Sequence, residues 1–155
     1  MFATNVLAPY ILTALMRRPQ RLIYLSSGLH RNATARLDDV FWRKRRWDGA
    51  KAYSETKLYD TMLAFAIARR WPDVFSNALE PGWVPTKMGG SEAPDDINQA
   101  HLTQVWLAAS DDARVTGQYF YHNQRLAPNR QAEDSNLQDQ LIAVCERSTQ
   151  LALPN

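Results

Sequence analysis

Cysteine is nearly absent from this sequence, since Cys145 is the single one among 155 residues. One cysteine excludes an internal disulfide and a metal site built from several cysteines. So little cysteine fits a reducing compartment, and we therefore expect a cytoplasmic protein. The three histidines have no metal-ligand spacing, so no metal site is predicted.

Long uninterrupted apolar runs are also missing. The opening segment 1–16 is apolar, but Thr4, Asn5 and Pro9 interrupt it, and it is too short to cross a bilayer. It has no basic residues ahead of its apolar part and no small-residue cleavage site after it. We expect neither a membrane span nor a signal peptide, and we interpret the segment as a buried helix.

Excess charge of one sign is a third absence, because the formal net charge is only +2. This balance predicts no partner among nucleic acids or anionic membranes. One basic stretch, Arg43–Arg46, lies between Trp42 and Trp47. Cations beside aromatic rings can bind single-stranded nucleic acid, but a solvated loop is the interpretation that the near-neutral total favours.

The composition is that of an ordinary globular protein, with 45% hydrophobic and 22% charged residues. Length predicts a single domain over residues 1–155. Hydrophobic periodicity predicts an alternation of helices and short apolar strands, which indicates an α/β fold with three parallel strands and helices on both faces. The predicted helices cover 2–17, 51–71, 95–109 and 136–149, and the predicted strands cover 21–26, 74–79 and 117–121, with one further helical turn expected near 37–41.

The carboxyl ends of parallel strands are where such folds bind ligands. Two of the predicted ends carry Ser26-Ser27 and Glu80-Pro81-Gly82. His30 and His122 also lie near strand ends, but lone histidines are more often structural, and neither is predicted to act. The ligand site is therefore expected where the first two strands finish.

Tyr53 and Lys57 are four residues apart on a predicted helix, so their side chains share a face. A neighbouring cation favours the phenolate form of a tyrosine, which can then exchange a proton with a substrate oxygen. A serine hydroxyl at the same point can hold that oxygen by a hydrogen bond. The pattern predicts proton chemistry on a carbonyl or an alcohol.

Four ordered stretches make the chain resemble the C-terminal part of a short-chain dehydrogenase/reductase, of the retinol-dehydrogenase-like branch. They are 5–13, 22–28, 52–58 and 77–86. The resemblance implies the C-terminal half of a Rossmann-type doubly wound parallel sheet. It also implies an NAD(P)-dependent oxidoreductase that transfers hydride between a nicotinamide and a carbonyl or alcohol.

The same resemblance implies roles for single residues. Tyr53 would be the general acid/base, Lys57 would stabilise its phenolate and hold the nicotinamide ribose, and Ser27 would orient the substrate oxygen. Asn5 would hold a water in a proton relay, an idea that Pro9 supports because it has no N–H to donate to the Asn5 carbonyl. A simple bend of a buried helix is the alternative. The segment that resembles the nicotinamide contact contains Pro81, Gly82, Val84 and Thr86, with Gly82 allowing close backbone approach.

The glycine-rich turn that holds the cofactor phosphates in this family is missing. None of the six glycines forms it, so the N-terminal half is absent from the sequence and NAD cannot be distinguished from NADP. The chain thus resembles a truncated catalytic half from which we expect little activity alone.

We expect an open apolar strand edge and a homo-oligomer formed through helices 2–17 and 51–71. The substrate is expected to be an apolar small-molecule carbonyl or alcohol, and Trp42, Trp47 and Trp83 suggest a large one. The alternative is a catalytically silent association module that retains the motifs.

Overall fold

A four-stranded sheet lies between helices in the computed structural model, which describes residues 1–154. The chain opens with a π-helical segment, Ala3–Leu7, that leads into a first α-helix. Two 3-10 turns, Gly28–Asn32 and Arg130–Ala132, lie within the connections. The strands are β1 Arg21–Leu25, β2 Phe75–Leu79, β3 Tyr119–Tyr121 and β4 Gln124–Leu126; the helices are α1 Ala8–Leu15, α2 Gly49–Arg70, α3 Leu102–Ala109 and α4 Ser135–Thr149.

The strands are ordered β1-β2-β3-β4, and the first three run parallel as predicted. In register, Arg21 lies opposite Phe75, and Ala78 lies opposite Tyr119. The antiparallel β4 was not predicted. It follows a two-residue turn at His122 and Asn123, both with positive φ, which is the geometry of a tight hairpin. Neither residue is glycine, so the usual sequence signal for such a hairpin is weak.

Alternating side chains of the sheet point to two hydrophobic clusters, one on each face. The larger cluster joins Tyr24, Ala78 and Tyr119 to α2 and α4. The smaller one joins Leu79 and Phe120 to α3. Helices therefore cover both faces, and the predicted fold class of a partial Rossmann-like α/β sheet is confirmed.

Helix α2 is the central element, and its buried residues run all around it from Leu58 to Ile67. Asp48 begins the helix, since its carboxylate accepts a hydrogen bond from the Lys51 N–H at 3.1 Å. Arg69 and Arg70 occupy the last turn, where the helix dipole favours cations. The prediction of 51–71 therefore began two residues late and ended one residue late.

Two helix predictions were too long, and one was wrong. The predicted helix 95–109 is helical only from Leu102, because the Asp95 carboxylate accepts the Trp83 N–H at 2.6 Å and the Asp96 carboxylate accepts the Asn98 N–H at 2.8 Å. Such local bonds compete with helix formation. The predicted helix 2–17 stops at residue 15. The expected helical turn near 37–41 is an irregular loop, in which the Asp39 carboxylate accepts N–H groups of the residues that follow.

None of the helices in residues 1–154 combines the length and the apolar character needed to cross a membrane.

Candidate active site

Tyr53 and Lys57 lie on one face of α2, as their spacing predicts. The Lys57 Nζ is 5.8 Å from the centre of the Tyr53 ring. Both side chains are half-buried rather than fully solvated. The Lys57 ammonium therefore lies beside the Tyr53 ring at the partly buried end of this face.

The end of β1 meets this face of α2. The Lys57 ammonium donates to the Leu25 carbonyl at 2.7 Å, while the Ser26 hydroxyl donates to the Lys57 carbonyl at 2.8 Å. Thr61 Oγ1 lies 2.9 Å from Ser26 Oγ, and Ser26 is buried. The first serine of the pair thus joins β1 to α2.

Ser27, the serine predicted to orient substrate, follows directly and is half-buried. Its hydroxyl oxygen accepts only a long hydrogen bond, 3.3 Å, from the Leu29 N–H. The hydroxyl hydrogen is therefore available to a substrate oxygen. The structure places Ser27 at the strand end that Lys57 touches, and its role in orienting substrate stays a prediction.

His30 fixes the backbone of Ser27. Its Nε2 lies 3.2 Å from the Asn129 N–H and must accept from it, so its Nδ1 carries the proton and donates to the Ser27 carbonyl at 2.7 Å. The Asn129 side chain also donates to the carbonyls of His30, Arg31 and Ala33. Burial lowers the pKa of His30 below its ordinary value. The expectation of a structural histidine fits this arrangement.

Asn5 lies in the π-helical segment beside α2. Its amide donates to the Thr56 hydroxyl at 3.0 Å. Asn5 and Lys57 line one groove of about 390 Å³ between α1 and β1. The helix register loosens here, because the Ala8 N–H bonds the Ala3 carbonyl five residues back. Asn5 is thus near Lys57, and its water-holding role stays a prediction.

The predicted nicotinamide segment begins beside the same strand end. The Ser26 N–H donates to the Leu79 carbonyl at 2.7 Å, so Pro81 and Gly82 leave β2 next to Ser27. Gly82 has φ +92°, and a Cβ on it would lie 2.7 Å from an Asp95 carboxylate oxygen, so the position requires glycine.

Further along this loop, Val84 is half-buried and Thr86 is exposed, with its hydroxyl accepting the Gly89 N–H at 3.1 Å. The structure thus brings the start of the segment to the strand ends and places Thr86 in a turn of the loop itself. Contact of these residues with a cofactor stays a prediction.

A charged pair borders this region. Glu80, at the end of β2, accepts from Arg31 at 2.6 Å. A Cβ on Gly28 would overlap the Glu80 carboxylate, so Gly28 lets this side chain cross the strand end.

Asp60 is the residue at the site that sequence reasoning missed. Its Oδ2 lies 2.9 Å from the Lys57 ammonium, and it lines the same groove. Burial raises the pKa of Asp60 to about 7, although Lys57 acts in the opposite direction. The available signal was a carboxylate inside the otherwise apolar part of α2, three residues after the predicted active lysine.

The basic stretch Arg43–Arg46 is partly committed to the fold. Arg45 donates to both oxygens of Glu55, at 2.6 and 2.9 Å, and lies 3.8 Å above the Trp42 ring. Asp39 accepts from Arg45 at 3.2 Å as well. One of the four cations therefore anchors this loop to α2, which is consistent with the solvated-loop interpretation.

Comparison with known proteins bears on this geometry. The chain is 38% identical, over 97% of its length, to short-chain dehydrogenase chry4 of Gibberella zeae, and 37% identical, also over 97%, to short-chain dehydrogenase chyC of Penicillium rubens. The chain is thus similar to short-chain dehydrogenases over nearly all of its own length. Human retinol dehydrogenase 13 is 28% identical over 99% of the chain. The predicted resemblance, including its retinol-dehydrogenase-like branch, is confirmed.

These relatives are longer than the chain. It spans 60% of chry4 and chyC, and 55% of human retinol dehydrogenase 13. No protein-family model matches the sequence. Among solved structures, a protein from Mycobacterium paratuberculosis shares the fold with a TM-score of 0.80 over 99% of this chain and 60% of that one, at 23% identity.

Proposed function

We propose that this chain carries the proton-transfer half of an NAD(P)-dependent oxidoreductase of the short-chain dehydrogenase type. The observation that carries the proposal is the Lys57 ammonium, which bonds the carbonyl of Leu25 at the end of β1 and lies on the same face of α2 as Tyr53. One element thus carries Tyr53, which would be the acid/base, and another carries Ser27 at the same strand end. Relatives named as dehydrogenases support this assignment.

Tyr53 would handle the proton. When a carbonyl is reduced, the O–H bond of the Tyr53 phenol would break and the proton would join the substrate oxygen. The Tyr53 phenolate would remain beside Lys57. In the reverse direction the phenolate removes the alcohol proton. The Ser27 hydroxyl would donate a hydrogen bond to the same oxygen and hold it in place.

A nicotinamide, when bound, would supply or accept the hydride at the substrate carbon. The residues present fit its nicotinamide end. An ammonium has three donors, and Lys57 uses two of them within the chain, so one is left for a ribose hydroxyl. Pro81, Gly82, Val84 and Thr86 would lie along the ring, beginning at the glycine whose conformation admits close backbone approach. Either NAD or NADP fits, and the substrate would be an apolar small-molecule carbonyl or alcohol.

The first test measures cofactor binding by residues 1–155 through the fluorescence of NADH and NADPH. We expect binding that weakens roughly tenfold or more in Lys57→Met, because a charged hydrogen bond of about 1.5–3 kcal/mol is lost. Lys51→Met, which removes an exposed lysine of the same helix, is the matched control. Binding that Lys57→Met leaves unchanged would contradict the proposed role.

The second test concerns the proton. Tyr53→Phe should retain cofactor binding. Its rate of carbonyl reduction should fall roughly 10²–10⁴-fold, the usual contribution of a general acid. Tyr121→Phe is the control, since Tyr121 is also half-buried but lies on β3. Equal turnover by Tyr53→Phe and the unaltered chain would refute the assignment.

The competing function is a catalytically silent association module. Exposed Leu12, Leu15 and Met16 on and after α1 favour it, because they form an apolar surface beside the open edge of β1. Absence of cofactor binding at millimolar concentration, together with self-association, would favour the module over the enzyme.

A further inference from the structure

The Lys57 ammonium is held by two bonds that leave its third donor with a defined direction. One donor goes to the Leu25 carbonyl at 2.7 Å, and a second goes to Asp60 Oδ2 at 2.9 Å. The Lys57 side chain is only 15% exposed, which limits the alternatives open to it. Asp60 therefore decides, together with a strand-end carbonyl, where the remaining N–H points.

Asp60 is an unusual partner because it is buried and incompletely bonded. The residue is 3% exposed, and its Oδ1 has no hydrogen-bond partner among the described residues. Of the titratable groups that face it, Lys57 comes from its own helix and Tyr24 from β1. The π-helical segment and α1 add the neutral side chains of Asn5 and Thr13 to the same groove. A buried carboxylate with a free oxygen is costly for stability, and such costs are concentrated at functional sites.

We propose that Asp60 is a positioning residue that acts through Lys57: its carboxylate aims the third ammonium donor and sets the net charge beside Tyr53. The inference deepens the proposed function, because it matters only if Tyr53 and Lys57 handle a proton and a cofactor. When Asp60 is ionised, the Lys57–Asp60 pair is electrically neutral. When Asp60 is protonated, the pair carries one positive charge, which favours the phenolate more strongly.

This change of charge falls in the neutral pH range. Burial raises the pKa of Asp60 to about 7. When the pH falls through this value, Asp60 is protonated and its ion pair with Lys57 is lost. When the pH rises again, the ion pair forms again.

The experiment is an NMR titration of the full chain with ¹³C-labelled aspartate carboxyls and ¹³Cε-labelled lysines, from pH 5 to pH 9. We expect the Lys57 Cε signal to move in step with the Asp60 carboxyl signal, with a shared midpoint near 7. The step in the Lys57 signal should vanish in Asp60→Asn. A Lys57 signal that does not follow the Asp60 carboxyl would overturn the inference.

Asp38→Asn is the matched control, because Asp38 is an exposed acid paired with Arg36 and should leave the Lys57 signal unchanged. Should Asp60→Asn fail to fold by circular dichroism, the joint titration in the unaltered chain still decides. In the assay of activity, Asp60→Asn should remove the step near neutral pH from the kcat/KM profile. Cofactor binding that Lys57→Met leaves unchanged would contradict the proposed function, while the NMR titration would still decide on Asp60.

Discussion

At the scale of single residues, the candidate site depends on side chains that hold the backbone of Lys57 and Ser27. Ser26 joins the end of β1 to α2, and His30 fixes the backbone of Ser27 against Asn129. Neither presents a reactive group to a substrate. A site of this kind keeps its geometry only while these buried hydrogen bonds remain complete.

The neutral state of His30 predicts a loss of stability in acid. Its pKa is lowered in the folded chain, so below pH ~6.5 the unfolded chain gains a proton that the folded chain does not accept. Protonation would also put a hydrogen on Nε2, which must accept from Asn129. Asp60 acts in the opposite direction, because its raised pKa lets the folded chain bind a proton in the same range. We therefore expect the melting temperature of His30→Gln to change more favourably than that of the unaltered chain as the pH drops from 7 to 5.

The matched variant is His101→Gln, which alters an exposed histidine. Thermal unfolding at each pH is the measurement. If the melting temperatures of His30→Gln and the unaltered chain change by the same number of degrees, protonation of His30 does not control stability in acid.

At the scale of elements, the sequence predicted what periodicity determines and missed what single hydrogen bonds determine. The parallel strands and α2 follow from hydrophobic pattern and end signals, and the Tyr53–Lys57 face follows from helical spacing. The shortened α3 follows from the carboxylates of Asp95 and Asp96, which bond nearby N–H groups. To predict the Asp60–Lys57 pair, one would also have to know which side of α2 is buried. From Leu58 to Ile67 every side of the helix is buried, so the pattern does not single out Asp60.

Burial of α2 on all sides from Leu58 to Ile67 predicts a large loss of stability when a side chain is shortened there. Leu58 is fully buried, so Leu58→Ala should lower the free energy of unfolding by about 2–5 kcal/mol, through lost burial and a residual cavity. Leu12→Ala, at a side chain that is 64% exposed, should change it by roughly 0.5 kcal/mol or less. Denaturant unfolding measures both, and equal effects would mean that α2 is not the core element.

The attachment of the loop 33–47 to α2 is expected to depend on the Arg45 guanidinium. Arg45→Ala leaves the buried carboxylate of Glu55 without its bidentate partner, and should cost roughly 1.5–3 kcal/mol. Arg46→Ala, in the same loop but exposed, should cost little. Comparable destabilisation by the two variants would show that the Arg45–Glu55 pair has no special weight.

At the scale of the whole molecule, β1 is an edge strand with an apolar groove beside it. β1 pairs only with β2 in the described sheet, while Leu12, Leu15 and Leu25 are exposed nearby. The predicted association through both helices 2–17 and 51–71 stays a prediction. The surface of α2 is largely covered within the chain, so α1 is the helix with apolar side chains to offer.

We expect concentration-dependent association through this side of the molecule, because open apolar edges pair with other chains. Leu12→Lys with Leu15→Lys should shift the population toward monomer in sedimentation velocity. Val105→Lys is the control, since Val105 is a 55% exposed residue of α3 on the opposite face of the sheet. If the double variant shows the same proportions of monomer and oligomer as the unaltered chain, the contact between copies does not involve Leu12 and Leu15.

The parallel register carries a consequence for synthesis on the ribosome. Arg21 pairs with Phe75 and Ala78 with Tyr119, so each strand must wait for a distant stretch of sequence to emerge. Pairing over such separations is slow, and newly made chain is prone to aggregate until it is complete. We therefore expect expression of the chain to depend on chaperones and to yield more folded protein at low temperature.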